Sequence, residues 1–261
     1  MSNLQAYLKS YAGHDGGNPD AKVWVCGIEH GGGPDDGDKA FDVSQLEPES
    51  VMSYWTPQFK QDHEKPGQEW KSWPYHQKVA KLMTAIESVQ DDPTRSASVD
   101  GWRNYHLNHL YQPQGSSFKL NLLPLSVRST SAADWAQTYG GVPEIATRKS
   151  YIQLCREVRF PELRSLKERH KPSVIIGTGR TLRRLFAEAF GYNTSREEMK
   201  SIVDGSRSRT CSIYRDQITT LVVSPFFDWR AHSMNSDGLL EGLGKLVAEE
   251  LAARKSGTVP E

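Results

Sequence analysis

The stretch VWVCGIEHGGGPDDGD, residues 23–38, decides how the rest of the chain is read. Its apolar, β-branched opening has the length and content of a strand buried on both faces, and such strands belong to parallel sheets. The run breaks at Gly27-Ile28 into a loop carrying Glu29, His30, Gly31, Gly32 and Gly33. Glycines let a backbone approach a ligand where a Cβ would not fit. One acid therefore stands where a strand opens, and in open α/β sheets ligands bind at the carboxyl ends of such strands. That makes Glu29 the first candidate for chemistry.

Outward from it, the chain alternates strand-like and helical patterns, which indicates an α/β protein. Leu4, Leu8 and Tyr11 predict a short helix before the first strand. Residues 39–73 form a long insertion with Phe41, Tyr54, Trp55, Phe59, Trp70 and Trp73 among polar residues and prolines. A loop of that length and aromatic content either packs on the core or covers a site. Pro74 suits the start of a helix with Val79, Leu82, Met83 and Ile86 on one face. His106 and His109 have a spacing that could place two imidazoles on one helix face, but no third metal ligand is evident, so packing or surface roles are expected.

FKLNLLPL, residues 118–125, reads as a second buried run interrupted by Asn121. A polar amide in a buried strand must find partners, either neighbouring backbone or the edge of a ligand. Residues 144–170 carry helical periodicity with a break expected near Phe160-Pro161. SVIIG, residues 173–177, is a third strand, followed by a helix opened at Thr178-Gly179-Arg180. A short helix is expected within residues 192–204, then a hairpin of RTCSIYR (209–215) and QITTLVV (217–223). The last strand runs into Ser224, Pro225, Phe226, Phe227, Asp228, Trp229, Arg230, Ala231 and His232, a loop rich in functional groups. An amphipathic helix over residues 237–255 follows.

Composition sets bounds on function. With 261 residues, 37% of them hydrophobic, the chain can bury a sizeable core, and one domain is expected over residues 1–261. Lys plus Arg and Asp plus Glu balance at 32 each, so any nucleic-acid contact must come from local patches. The three cysteines are widely separated and sit in apolar or periodic segments, which points to reduced core thiols, a cytoplasmic location and no iron–sulfur cluster. No signal-peptide core or membrane-length apolar run is present, so no membrane partner is expected.

Taken together, the Gly-Ile-Glu-His-Gly strand end, the KLNLLPL strand, the KPSVIIGTGRTLRRLF strand and helix, and the VSPFF strand end resemble the uracil-DNA glycosylase superfamily. The resemblance spans roughly residues 20–250. It implies a three-layer α/β/α sandwich around a central, mostly parallel sheet of about four strands. It also implies a monomeric, monofunctional enzyme with DNA as its partner, without cofactor or metal, that removes a base flipped from the duplex.

Glu29 falls where the family's first motif carries its catalytic Asn or Asp, and would activate the attacking water and stabilise an oxocarbenium-like sugar. Asn121 would bond the edge of the extruded base, and Phe41, Tyr54 or Trp55 would stack on it. Gly31, Gly32, Ser224, Pro225, Arg230 and His232 would contact the DNA, with Phe226 or Phe227 as a wedge. The family's final histidine is replaced by Val222 or Val223, and His30 and His232 are the candidates to take over its role. The lost histidine, the glycine run and the long insertion together imply a pocket for a bulky base, such as the glucosylated hydroxymethylcytosine of phage DNA, and a role in anti-phage defence. A uracil or mismatch repair enzyme is the alternative. A non-catalytic nucleic-acid-binding module and a hydrolase using Glu29, His30, Asp35, Asp36 and Asp38 as metal ligands are two further readings. No lysine stands out in the proposed cleft as an amine nucleophile.

Overall fold

The computed structural model describes residues 2–30, 41–51, 57–62, 64, 70–127 and 131–257. Its strands are β1 (Gly16–Gly17), β2 (Val23–Gly27), β3 (Ser117–Asn121), β4 (Val174–Thr178), β5 (Glu198–Asp204), β6 (Arg207–Arg215) and β7 (Thr220–Ser224). Its α-helices are α1 (Asn3–Lys9), α2 (Pro57–Asp62), α3 (Pro74–Asp91), α4 (Trp102–Asn108), α5 (Ala132–Tyr139), α6 (Arg148–His170), α7 (Arg183–Ala189) and α8 (Asp237–Ser256).

The strands form one mixed sheet of seven in the order β1-β3-β2-β4-β7-β6-β5. Four central strands, β3, β2, β4 and β7, are parallel; β1, β6 and β5 extend the edges antiparallel. The sheet is therefore larger and more mixed than the expected four strands. Two glycines carry no hydropathy pattern, which hides β1. The helix expected within residues 192–204 is instead mostly β5: Met199, Ile202 and Val203 stand at helical spacing, yet only Ile202 is buried and the other two are each 65% exposed.

Strand alternation supplies both faces of the core. Trp24, Cys26, Phe118, Leu120, Ile175, Leu221 and Val223 pack with residues of α1, α5, α6 and α7. Val23, Val25, Val174, Ile176, Val222 and Ile213 pack with α3 and α8. The α3–α8 crossing is close, since a Cβ on Gly244 would lie 2.6 Å from that of Ala85. The predicted break at Pro161 does not occur. α6 runs through it because Tyr151, Cys155, Phe160, Leu163 and Leu166 bury one continuous face, which outweighs the roughly 3 kcal/mol that a helical proline costs. Cys26, Cys155 and Cys211 are buried, unpaired thiols, each pushed up to about 12 by burial. Among the described residues no helix is long and apolar enough to cross a membrane.

Candidate functional site

Parallel register brings the chemistry-bearing residues to one edge. Gly27 ends β2 opposite Asn121, which ends β3, and Thr178 ends β4 opposite Ser224, which ends β7. Pairing continues past the strands, with Leu122 N donating to Gly27 O at 2.9 Å and Leu123 N to Ile28 O at 2.8 Å. Glu29 is thus held beside the segment that follows Asn121. The turn after β4 is fitted to it as well: Gly179 has φ +138°, and a Cβ there would lie 2.6 Å from Ile28 Cδ1.

The Glu29 side chain is 9% exposed and faces Arg148, the first residue of α6 after its capping Thr147. Arg148 Nη2 donates to Oε1 at 3.0 Å and lies 2.9 Å from Oε2. The second contact is electrostatic rather than a hydrogen bond, so Oε2 receives no donor among the described residues. Burial pushes the Glu29 carboxyl above the usual carboxylate range, and Arg148 offsets only part of that. Arg148 is itself steadied by Trp135, whose ring centre is 5.7 Å from the guanidinium carbon. Tyr139 closes this side; its hydroxyl donates to Ser126 O, and burial pushes it up to about 12. Phe41 packs edge-on against Tyr139 with centroids 4.7 Å apart, so it is partly committed to packing.

A second polar group lies at the ends of β3 and β4. Lys119, 2% exposed, is 2.9 Å from Asp15 Oδ2 and donates to Asn121 Oδ1 at 2.8 Å. His30 is drawn to Asp15, with its Nδ1 3.6 Å from Asp15 Oδ1. Burial opposes both charges of the Lys119–Asp15 pair, yet their mutual attraction prevails: Asp15 is held well below the usual carboxylate range and Lys119 above the usual amine range. The Lys119 ammonium also lies 5.3 Å from the centre of the Tyr75 ring. Tyr75, at the start of α3, hydrogen-bonds Thr178 Oγ1 through its hydroxyl at 3.1 Å and packs against Phe226 and Phe227. All four parallel strand ends are joined through these contacts.

The loop after β7 divides by exposure. Ser224 is fully buried, its hydroxyl donating to Gly177 O and Pro225 O, so outward contact from this residue is left to its neighbours. Phe227 is 1% exposed and belongs to the core, whereas Phe226 is 40% exposed. Arg230 is exposed and 3.2 Å from Asp228, and His232 is exposed. Trp229, 75% exposed, is the most prominent side chain of the loop. Arg209 pins the loop's far end by donating to the carbonyls of Ala231 and Ser233.

Gly31, Gly32, Tyr54, Trp55, Asp35, Asp36 and Asp38 lie outside the described residues. His106 is buried against Trp70 and His109 is beside Asn104, and no metal-binding cluster of His, Cys, Asp or Glu occurs among the described residues. Sequence reasoning missed Arg148, Asp15, Tyr75 and Lys119. Lys119 had a signal: a cation inside an apolar strand has to be paired. No protein-family model matches this chain, and no curated protein matches it.

Proposed function

We propose that the protein is a monofunctional DNA glycosylase that hydrolyses the N-glycosidic bond of a modified base flipped out of duplex DNA, leaving an abasic site. The substrate in this reading is a bulky modified cytosine of phage DNA, such as glucosylated hydroxymethylcytosine, and the role is anti-phage defence. The observation that carries it is Glu29: a desolvated carboxylate just past the carboxyl end of a parallel strand, with a buried Oε2 that accepts no hydrogen bond among the described residues. A carboxylate beside an anomeric carbon offsets the positive charge of an oxocarbenium-like transition state and can orient the attacking water. The resemblance to the uracil-DNA glycosylase superfamily supports the assignment, as does the meeting of its four motif regions at the carboxyl ends of the parallel strands.

The test offers duplexes containing uracil, hydroxymethylcytosine or glucosylated hydroxymethylcytosine and scores alkali-labile abasic sites. Release of the glucosylated base supports the reading; release of uracil alone sinks the bulky-base assignment. The Arg148–Glu29 ion pair favours a second reading, a non-catalytic nucleic-acid-binding module in which the acid only anchors α6. Duplex binding with no base release from any substrate would select it.

Phe226 is the exposed member of the phenylalanine pair and is the wedge in this proposal. Phe226→Ala should lower kcat/KM on duplex about tenfold and affect single-stranded substrate much less, because unstacking costs a few kcal/mol only when the base starts in the stack. Equal losses on both substrates would argue against a wedge.

A further inference from the structure

Lys119 occupies the middle of a buried strand, and its ammonium can only donate. Its hydrogens are matched by Asp15 Oδ2 at 2.9 Å, Asn121 Oδ1 at 2.8 Å and the Leu120 carbonyl at 3.1 Å. With its donors committed and its charge paired, it is not set up as an amine nucleophile. Its effect falls on Asn121. The two ends of an amide are easily confused by shape, but an ammonium cannot face an NH2 group favourably, so the atom beside Lys119 is the oxygen.

The other side of that oxygen is closed by β2. A Cβ built on Gly27 would lie 2.2 Å from Asn121 Oδ1 and 3.1 Å from Lys119 Nζ, so the amide oxygen rests on bare backbone. Only glycine leaves that space. What remains for a ligand is Nδ2, which donates and cannot accept.

We propose that Lys119, held by Asp15, is a positioning residue that locks the Asn121 amide, so that the site selects a base with an acceptor at N3 over one with N3–H. Cytosine-type bases offer that acceptor, whereas uracil-type and thymine-type bases present a donor there. The inference rests on the glycosylase reading and sharpens it, because a donor locked opposite N3 separates modified cytosines from equally bulky modified uracils. A pocket selecting on size alone could not.

The experiment compares duplexes carrying 5-hydroxymethylcytosine and 5-hydroxymethyluracil, which share their bulk at C5. The quantity read is the kcat/KM ratio between them, in wild type and in Lys119→Met. Dividing one ratio by the other cancels the difference in leaving-group ability of the two bases. The preference for the cytosine should fall about tenfold or more in the variant, the size expected when a base-edge hydrogen bond no longer discriminates. Lys119→Met leaves Asp15 buried and unpaired, so the neutral pair Asp15→Asn/Lys119→Met is measured alongside it and should show the same collapse. A ratio unchanged in both variants overturns the proposal, even if overall activity falls.

The free protein supplies a readout that needs no substrate. A scalar coupling through the hydrogen bond, between the Lys119 side-chain nitrogen and the Asn121 amide carbon, should be visible by NMR, and its absence overturns the lock. Failure of wild type to release any base would count against the glycosylase reading, whereas a missing coupling counts against the lock.

Discussion

Glu29→Gln is expected to lower the rate of base release by about 10³-fold or more, the upper half of the range for positioned acid–base groups, while duplex affinity persists. The substitution preserves shape, and the amide oxygen can still accept from Arg148. What it removes is the negative charge and the basic oxygen, the two properties that the proposed transition state uses. Turnover within a few-fold of wild type would refute the assigned role and leave the acid as an anchor for α6. The pH profile supplies an independent check. The active form is the carboxylate and burial has raised its pKa, so the rate should fall as pH drops through that raised value. Arg148→Met removes the opposing influence, so the acid limb should move to higher pH in that variant. Stability carries the opposite sign. A carboxyl whose folded pKa is raised contributes stability that is fully present below its unfolded pKa and is lost as pH rises through the folded one. Wild type should therefore gain on Glu29→Gln in thermal midpoint as pH is lowered from 7 towards 4.

The four parallel strands were legible because each lies in a largely apolar run of strand length, and Glu29 and Asn121 were legible because each breaks or follows such a run. The antiparallel edges were not, since two glycines carry no pattern and Met199, Ile202 and Val203 imitate a helix while lying on an edge strand. Arg148 is 119 residues from Glu29 and is one arginine among many charged residues at helix starts and ends. Only the packing of α6 against the end of β2 distinguishes it. Asp15 is similar: in the sequence it belongs to a Gly/Asp/Pro loop, and its meaning comes from the antiparallel pairing of β1 with β3, which sets Gly16 opposite Lys119. Local patterns show which residues lie in the sheet, but pairing of charges across it depends on register.

Arg159→Leu should be the most destabilising single change at the site's foundation, costing about 3–5 kcal/mol in denaturant unfolding, as for other buried polar networks broken from one side. Arg159 is 1% exposed and lies on α6, and its guanidinium has no carboxylate partner among the described residues. It donates instead to the carbonyls of Leu8, Ser10 and Ala12, and at 3.5 Å to that of Asn121. Burial lowers its pKa, but an arginine remains charged at any working pH, so these carbonyl dipoles act as its counter-charge. Leucine would fill part of the volume and strand several buried acceptors at once. Arg159→Lys keeps the charge but gives up the planar fork, so it should recover only part of the loss. A loss under about 1 kcal/mol for the leucine variant would mean that water replaces the guanidinium freely. The same bonds tie the end of α1 to the strand end that holds Asn121, with Asp15 three residues beyond Ala12. Amide exchange should therefore speed up in Arg159→Lys at Asp15, whose N–H donates to Lys119 O, and at Leu122, whose N–H donates to Gly27 O. Exchange at Ile176, in the middle of the sheet, should change less. That pattern would mark Arg159 as the support on which the Lys119–Asn121 geometry depends, whereas uniform acceleration would assign it to global stability alone.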